Sequence, residues 1–382
     1  MLLDTTLREG AQLFGAYFDS NTRKKIFSGL LQVGVDEIEL GWVGQSDLAD
    51  FVAYARKKKV TAKLSVWSPC RETDIRTAAQ LSVDRVNIGV PSSDLHIEKR
   101  LSTQREALLQ SLAENIEIAK ECGISYISVG LEDVSRADEL FALRMALVAE
   151  KHGASRVRLA DSLGQLTPLA MVRLISRFRD ALSVDIAVHC HDDFGMATAN
   201  SITALQSGAD YADVSILGVG ERSGIAATEE LAAYLAVKQN ATEYAPRVLK
   251  GLCEFVASVA HVTIPRTKSI VGKDVFACES GLHVHALSKS PDLFEPYDPK
   301  EVGITRKMRV GSKSGKRAVL IALNEYGLVT DDGSLAQRDI EDVTKAVSQL
   351  SRKLERPLTE DEVGDVWKSV MCRAKSPVTA VC

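Results

Sequence analysis

The feature that most constrains the fold is the alternation of short apolar, β-rich runs with helical patterns along the first 240 residues. Between the runs, apolar residues recur with the period of a helix, as in Ile26, Leu30 and Leu31. Glycines such as Gly34 and Gly153 stand where helices are expected to end. Eight runs predict strands: LLDTTL (2–7), EIEL (37–40), AKLSVW (62–67), RVNIGV (85–90), ISYISVG (124–130), RVRLA (156–160), DIAVHCH (185–191) and ADVSILG (212–218).

Strand–helix alternation predicts parallel strands covered by helices. Eight such units over about 240 residues are typical of a (β/α)8 TIM barrel. An open doubly wound sheet is disfavoured because the first strand lacks the GxGxxG turn of a nucleotide site. We therefore predict an α/β protein with a catalytic barrel over 1–240 and a mostly helical C-terminal region over 241–382. In that region, amphipathic patterns predict helices at 249–262, 315–326, 340–354 and 360–371.

Composition excludes several classes of protein. The 382 residues are 45% hydrophobic and 26% charged, which is ordinary for a globular protein. A net charge of −4 gives no basic field for nucleic acid. No apolar run approaches the roughly 18 residues of a membrane span. The N-terminal MLLDTTLREG has no signal-peptide pattern, so we expect a cytoplasmic protein. Seven scattered cysteines without a CxxC argue against disulfides and a zinc ribbon.

The strongest local motif is HCHDDFG at the end of the seventh predicted strand. Residues i and i+2 of a strand point to one face, so His189 and His191 are expected side by side, while Cys190 points the other way. Two neighbouring imidazoles suit one divalent cation. The alternative, a pair of hydrogen-bonded core histidines, fits less well because active sites of such barrels lie at the C-terminal ends of the strands.

Carboxylates follow several of the other predicted strands. The first run, DTTLREG, offers Asp4 and Glu9 as a third metal ligand, and Glu9 lies at the catalytic end of its strand. Arg8 beside Glu9 suggests a group that faces an anionic substrate or a developing oxyanion. A surface Arg–Glu pair of little energetic value is the alternative. Further acidic residues end predicted strands five, six and eight, namely Glu132, Asp161 and Glu221. Each of them can have a catalytic or a structural role.

Three weaker motifs remain. The loop PSSDLHIEKRL (91–101) carries His96 and two cations, and it can hold an anion or be a solvated helix start. GLHVHAL (281–287) contains His283 and His285. The basic stretch RKMRVGSKSGKRAV (306–319) can meet the phosphates of a nucleotide-like cofactor, although a solvated face is the simpler interpretation.

Taken in order, DTTLREG, HCHDDFGMATAN and SILGVGERSGIAATEEL resemble the metal-dependent acyl-CoA aldol enzymes, which comprise the homocitrate, isopropylmalate and citramalate synthases and related barrel lyases. The resemblance continues through TKSIVGKDVFACESGLHVHAL and YDPKEVG to VGSKSGKRAV. The lyases lack this second region. GLEDVSRAD and HDDFGMATAN look most like homocitrate synthases. An isopropylmalate synthase is expected to carry Asn at Val219 and often a long C-terminal regulatory domain.

The resemblance implies a Claisen condensation of acetyl-CoA with 2-oxoglutarate, followed by thioester hydrolysis to homocitrate and CoA. It implies a divalent metal ion (Mg, Mn, Zn or Co) on Glu9, His189 and His191. The resemblance also implies a homodimer with a swapped C-terminal region. It further implies which residues catalyse the reaction and which bind the substrate. Catalysis falls to Arg8, Glu132, His283 reaching in from the partner, and Tyr297. Substrate binding falls to Arg8, His96 and Ser162.

The chain departs from the family pattern at three places. Ala11 replaces the Glu of the usual GEQ, and Ser128 stands where lysine-pathway homocitrate synthases have an Arg that grips the distal carboxylate. Phe294 aligns with the expected tyrosine, and Tyr297 lies three residues on. Alternative keto acids therefore stay open: oxaloacetate giving citrate, pyruvate, 2-ketoisovalerate, or a phosphono or phosphino keto acid. A metal-dependent C–C lyase and a non-catalytic paralogue are the remaining alternatives.

Overall fold

The computed structural model describes residues 1–279, 286–287, 289–329 and 337–375. It divides into two compact units, Met1–Ile264 and Pro265–Cys382. The first unit extends past the predicted boundary at residue 240, because the helix Leu249–Ala260 contacts the helix Ser20–Val33 of the barrel. His283, the predicted catalytic base, lies outside the described residues.

The first unit is a closed barrel of eight parallel strands, each paired with the next and the last with the first. The (β/α)8 fold is thereby confirmed. The strands are β1 (Leu2–Asp4), β2 (Glu37–Trp42), β3 (Lys63–Pro69), β4 (Arg85–Pro91), β5 (Ile127–Glu132), β6 (Arg156–Asp161), β7 (Asp185–Cys190) and β8 (Tyr211–Val214). The helices are α1 (Ser20–Val33), α2 (Leu48–Lys57), α3 (Glu72–Ala79), α4 (Asp94–Lys99), α5 (Arg105–Glu121), α6 (Glu139–His152), α7 (Pro168–Ala181), α8 (Ala197–Gln206), α9 (Thr228–Lys238) and α10 (Leu249–Ala260).

Local capping explains where the helices begin and end. The Asp19 side chain accepts a hydrogen bond from the backbone N–H of Thr22 at 2.7 Å, which satisfies a free donor at the start of α1. At its other end, Gly34 takes a left-handed conformation with φ of 87°. Gly153 ends α6 in the same way. These helix ends are the ones that the glycine positions predicted.

Strand β1 is shorter than the predicted run 2–7, and the reason matters for the site. The Thr5 carbonyl accepts hydrogen bonds from the backbone N–H groups of Arg8, at 2.9 Å, and Glu9, at 2.7 Å. This tight turn ends the strand at Asp4. Arg8 and Glu9 therefore project from a turn above the strand instead of from the strand itself. The turn is buried, which fixes both side chains over the barrel mouth.

A layer of buried charge crosses the barrel below the site. The Glu37 carboxylate accepts hydrogen bonds from Arg156 Nη1 and Nη2, at 2.8 and 3.0 Å, and from Arg85 Nη1 at 2.6 Å. Arg156 also donates to Asn87 and Ser128. Burial opposes ionisation of Glu37, but Arg156, Arg85 and the Ser65 hydroxyl together outweigh it and lower the pKa of this carboxyl to about 2.

The second unit contains helices α11 (Lys316–Glu325), α12 (Gln337–Leu354) and α13 (Glu360–Lys375), and a two-stranded parallel pair of β9 (Ala277–Cys278) with β10 (Lys307–Met308). The mostly helical C-terminal region is confirmed. Its buried core comes from all three helices and from the segments around them: Val310, Val319, Ala322, Leu323, Ile340, Val343, Val347, Leu358 and Val363. Within the described part of the chain, none of the helices is long and apolar enough to cross a membrane.

The Glu37 ion pair generates a stability prediction. Glu37→Gln leaves the buried Arg156 and the partly buried Arg85 without their carboxylate, so we expect a loss of about 3 kcal/mol in the free energy of unfolding at pH 7. The folded pKa lies below the unfolded value, so the stability that Glu37 supplies is present above about pH 4.5 and disappears as the pH falls towards 2. Urea denaturation at pH 7, 4 and 3 checks this.

The difference between wild type and Glu37→Gln should shrink steadily over that series. Glu106→Gln, which removes an exposed carboxylate paired with Arg144, is the matched control and should leave the midpoint unchanged. A difference that stays constant from pH 7 to pH 3 would contradict the assignment.

Candidate functional site

The site is a cavity of about 330 Å³ at the C-terminal ends of the strands. That end is where enzymes of this fold carry their chemistry. Strands β3 to β7, the turns after β1 and β8, and helix α4 all contribute to it. Its walls include Arg8, Glu9, Trp67, Gly89, His96, Arg100, Gly130, Glu132, Arg158, Ser162, His189, His191, Glu221 and Arg222.

Glu9, His189 and His191 meet at one wall of this cavity. One ligand atom from each lies within 4.8 Å of the others, and all three residues are buried. The two Nε2 atoms of the histidines are 3.3 Å apart, and His189 Nε2 lies 4.0 Å from Glu9 Oε2. The alternation of strand side chains aligns the histidines, as the sequence predicted, and the turn after β1 supplies the carboxylate.

These three groups have the protonation states that a metal site needs. Burial lowers the pKa of His189 well below its usual value, and the neighbouring His191 lowers it further. Burial also lowers the pKa of His191. For Glu9, burial favours the protonated form, but the Arg8 guanidinium, the two histidines and the backbone N–H of Glu221 together outweigh it, and the pKa falls below the usual range. Both imidazoles are therefore neutral and Glu9 is ionised at neutral pH.

The donor set fits a divalent metal ion. Two neutral imidazole nitrogens 3.3 Å apart can share one proton or can both bind one cation. Three buried carboxylates, those of Glu9, Glu39 and Asp213, form ion pairs with two guanidiniums, those of Arg8 and Arg158, within the described part of the chain. A cation in this cluster would offset the excess negative charge. Two histidines and a carboxylate accept several first-row metals, so the donors do not select one.

A second layer of side chains orients these groups. His189 Nδ1 lies 2.8 Å from Asp213 Oδ2, an arrangement that fixes the ring and leaves Nε2 for a metal. Burial raises the pKa of Asp213 to about 6, although Arg158 and Arg156 act against this. Arg8 Nε donates to Glu39 Oε2 at 2.6 Å, and its Nη1 donates to Glu9 at 2.5 Å.

Arg8 is thus held between two carboxylates. Its burial acts to lower the pKa of the guanidinium, but the two acids raise it on balance. A permanently charged donor therefore stands beside Glu9, the carboxylate of the candidate metal cluster.

The same cavity is lined by Glu132, which was predicted to be catalytic, and by Ser162 and His96, which were predicted to bind the substrate. Glu132, the last residue of β5, accepts a hydrogen bond from Arg100 Nη2 at 2.5 Å. Ser162 follows β6, and its Oγ accepts a hydrogen bond from the backbone N–H of Asp133 at 2.8 Å. His96 lines the wall from α4, with Nε2 at 3.3 Å from Arg136.

The other candidate residues of the barrel lie outside the cluster of Glu9, His189 and His191. Asp4 is buried below the site, where it accepts hydrogen bonds from Thr6 and Thr228, and it takes no part in the metal cluster. Asp161 accepts from the backbone N–H groups of residues 165 and 166, so it shapes the turn after β6. Glu221 lines the cavity with a half-exposed side chain, and its backbone N–H donates to Glu9.

Two candidates belong to the second half of the chain. Tyr297 is in the second unit, where its ring packs edge-on against Phe276 with 5.3 Å between ring centroids. Burial raises the pKa of its phenol. Phe294, which takes the place of the expected tyrosine, is half exposed. The role of His283 stays a prediction, since the described residues do not include it.

Sequence reasoning missed Glu39, Arg158 and Asp213. A signal was available for each. All three are charged residues inside predicted strands, and the period of two places them on the face that looks into the barrel. An ionised side chain in a buried parallel strand needs a partner inside the barrel, so such residues mark interior charge networks.

Two family models match the chain. The first, described as HMGL-like, covers residues 1–256, and the second, the homocitrate synthase post-HMGL domain-like model, covers residues 270–370. The chain belongs to the HMGL-like family. The resemblance drawn from the motifs is therefore confirmed.

Curated relatives match nearly the whole chain. A 2-isopropylmalate synthase 2 of Caldanaerobacter subterraneus is 34% identical over 98% of this chain and 97% of its own length. Homocitrate synthase 1 of a Nostoc species is 35% identical over 96% and 97%. An (R)-citramalate synthase of Methanocaldococcus jannaschii is 32% identical over 87% and 68%. The relatives are synthases, so the chain is an enzyme.

Among solved structures, the hydroxymethylglutaryl-CoA lyase of Pseudomonas aeruginosa is similar, with a TM-score of 0.62 and 19% identity. The similarity covers 69% of this chain and 93% of the lyase. At that identity the match supports the barrel fold alone.

Proposed function

We propose that the enzyme condenses acetyl-CoA with a 2-keto acid, foremost 2-oxoglutarate, and hydrolyses the thioester to give homocitrate and CoA. The observation that carries the proposal is the cluster of Arg8, Glu9, His189 and His191 in the barrel mouth of a chain that matches condensing synthases over nearly its whole length. The coarser chemistry, an acetyl-CoA-dependent condensation on a 2-keto acid, is common to the named relatives. The choice of 2-oxoglutarate is the finer part of the proposal.

The first half of the reaction concerns the keto acid. Glu9, His189 and His191 would hold a divalent ion, which would supply Lewis-acid chemistry to the keto acid. Arg8 lies beside Glu9 and presents its guanidinium to the same wall, so it stabilises the negative charge that develops on the keto oxygen. His96 and Ser162 line the cavity and contribute to binding of the keto acid.

The second half concerns the acetyl group. His283, from the partner subunit of a homodimer with a swapped C-terminal region, removes a proton from the methyl group of acetyl-CoA. Histidine suits this role because its usual pKa lets it exchange a proton near neutral pH. Glu132 supports the base, and Tyr297 assists. The carbanion attacks the keto carbon, and water then cleaves the thioester, so one CoA leaves for each carbon–carbon bond formed.

We infer that the enzyme is cytoplasmic, since its proposed substrates are soluble metabolites. We also infer that it works as a homodimer, because the proposed base acts in the partner's site. Arg8 and the proposed metal ligands lie in the barrel of one chain. His283 lies in the C-terminal region, and we propose that it acts as the base in the active site of the neighbouring chain.

The proposed reaction predicts metal-dependent release of CoA thiol. Purified protein with Mn²⁺ and acetyl-CoA should release CoA faster with 2-oxoglutarate than with oxaloacetate, pyruvate, 2-ketoisovalerate or 3-phosphonopyruvate. Chelated protein should be inactive and regain activity with metal. A thiol-reactive dye and identification of the product by mass spectrometry check this. CoA release from none of the keto acids would remove the proposal, and faster release with another keto acid would reassign the substrate.

The shared active site predicts complementation between inactive variants. Arg8→Ala and His283→Ala should each lose nearly all activity, because one lacks the oxyanion donor and the other the base. Unfolding and refolding the two together should restore about a quarter of wild-type activity, since half of the chains form mixed dimers with one intact site of two. A mixture as inactive as its components would exclude the swapped arrangement.

A further inference from the structure

An aspartate behind the cavity wall has no role in the proposed chemistry so far. Asp133 directly follows Glu132, the last residue of β5, and it is fully buried. Its backbone is left-handed, with φ of 62° and ψ of 37°. This conformation is uncommon outside glycine, and residues that adopt it persist where the surrounding structure holds them, often at functional sites.

The side chain of Asp133 is held by two residues and its backbone by a third. Ser93 Oγ donates a hydrogen bond to Oδ2 at 2.5 Å. Arg136 donates from Nε to Oδ1 at 2.9 Å and from Nη2 to Oδ2 at 2.7 Å, a bidentate, charge-assisted geometry. The backbone N–H of Asp133 donates to Ser162 Oγ at 2.8 Å. Asp133 therefore joins the ends of β5 and β6 to the residue that precedes α4.

Both side-chain partners of Asp133 also hold His96, a residue of the cavity wall. Ser93 is the N-cap of α4, and its Oγ accepts a hydrogen bond from the backbone N–H of His96 at 3.4 Å. Arg136 Nη2 lies 3.3 Å from His96 Nε2. A guanidinium can only donate, so this ring nitrogen is the acceptor. Asp133 thus fixes the start of the helix that carries His96 and the cation that orients its ring.

Asp133 acts on the imidazole indirectly. Its Oδ2 lies 3.8 Å from His96 Nε2, which is beyond hydrogen-bond distance. The side chain of Asp133 is 0% exposed, whereas those of Arg136 and His96 are 30% and 29% exposed. A partly exposed arginine loses much rotamer freedom when a single contact orders it. Because the buried carboxylate already fixes Arg136, the contact to His96 needs no further ordering.

We propose that Asp133 is a positioning residue for keto acid binding, and that it acts on His96 through Ser93 and Arg136. The carboxylate touches no substrate. It holds the imidazole at the cavity wall before the keto acid arrives, so binding does not have to order the ring. This inference rests on the proposed function, in which His96 binds the keto acid. Loss of the carboxylate should therefore weaken keto acid binding and leave the chemical step near its wild-type rate.

Kinetics of single and double variants test this. CoA release by the Mn²⁺-loaded enzyme is measured at saturating acetyl-CoA against the concentration of 2-oxoglutarate. Asp133→Asn keeps the shape of the side chain but loses its charge, and it should raise KM about 10-fold while kcat changes less than about 3-fold. Added to His96→Gln, it should cause no further rise in KM, because the group that it positions is already missing.

Two further measurements keep the test independent of folding and of turnover. Arg136→Gln removes the donor to His96 at a partly exposed position, should show the same non-additivity with His96→Gln, and decides the matter if Asp133→Asn does not fold. Isothermal titration calorimetry of 2-oxoglutarate, without acetyl-CoA, should give dissociation constants that follow the same pattern as KM.

The matched control is Asp210→Asn. Asp210 also pairs with an arginine, Arg179, at 2.9 Å and accepts the backbone N–H of Ile186 at 2.8 Å, but it precedes β8 at the opposite end of the barrel. This variant should lower thermal stability and leave KM and the dissociation constant unchanged.

Additive losses in Asp133→Asn and His96→Gln would show that Asp133 does not act through His96, and would overturn the proposal. A fall in kcat at unchanged KM in Asp133→Asn would do the same. Non-additive losses of 2-oxoglutarate binding without any CoA release would instead overturn the proposed function alone. A wild-type protein that binds no keto acid would overturn both.

Discussion

The ion pair between Arg8 and Glu39 is the interaction on which the site depends. Arg8 stands in a turn above β1, and Glu39 projects into the barrel from β2, with 2.6 Å between Nε and Oε2. The contact fixes Arg8 so that its Nη1 can also hold Glu9. Removing either partner would leave an uncompensated charge in a buried setting, which is among the costliest changes in a folded protein.

From that pair, a connected network of charge extends across the barrel. Glu39 also contacts Arg158, Arg158 contacts Asp213, and Asp213 contacts His189. Each member is buried, so the low local dielectric strengthens the contacts and makes unpaired groups expensive. The barrel interior is thus a packed core whose upper layers are ionic. The geometry of the proposed metal ligands is set by side chains from four different strands or their turns.

Much of this could be predicted from the sequence, and the rest could not for physical reasons. Strand–helix alternation predicted the eight-stranded barrel, because parallel strands that are buried on both faces appear in the sequence as nearly continuous apolar runs. The two histidines followed from strand periodicity. The contacts of Glu39, Arg158 and Asp213 were not predictable, since they join residues on strands far apart in the chain. Asp161 looked like Glu9 in sequence, yet its oxygens are used by two backbone N–H groups of its own turn.

The barrel is shared with lyases, so the fold alone does not choose the reaction. The central claim is that Glu9, His189 and His191 hold a divalent ion to which the keto acid binds directly. Pulsed electron paramagnetic resonance of the Mn²⁺-loaded enzyme tests it. We predict nitrogen modulation from two imidazoles, reduced in His189→Ala, and line broadening when 2-oxoglutarate labelled with ¹⁷O at the keto and adjacent carboxylate positions is added. A spectrum without imidazole nitrogen, or one that the labelled keto acid leaves unchanged, would contradict the account.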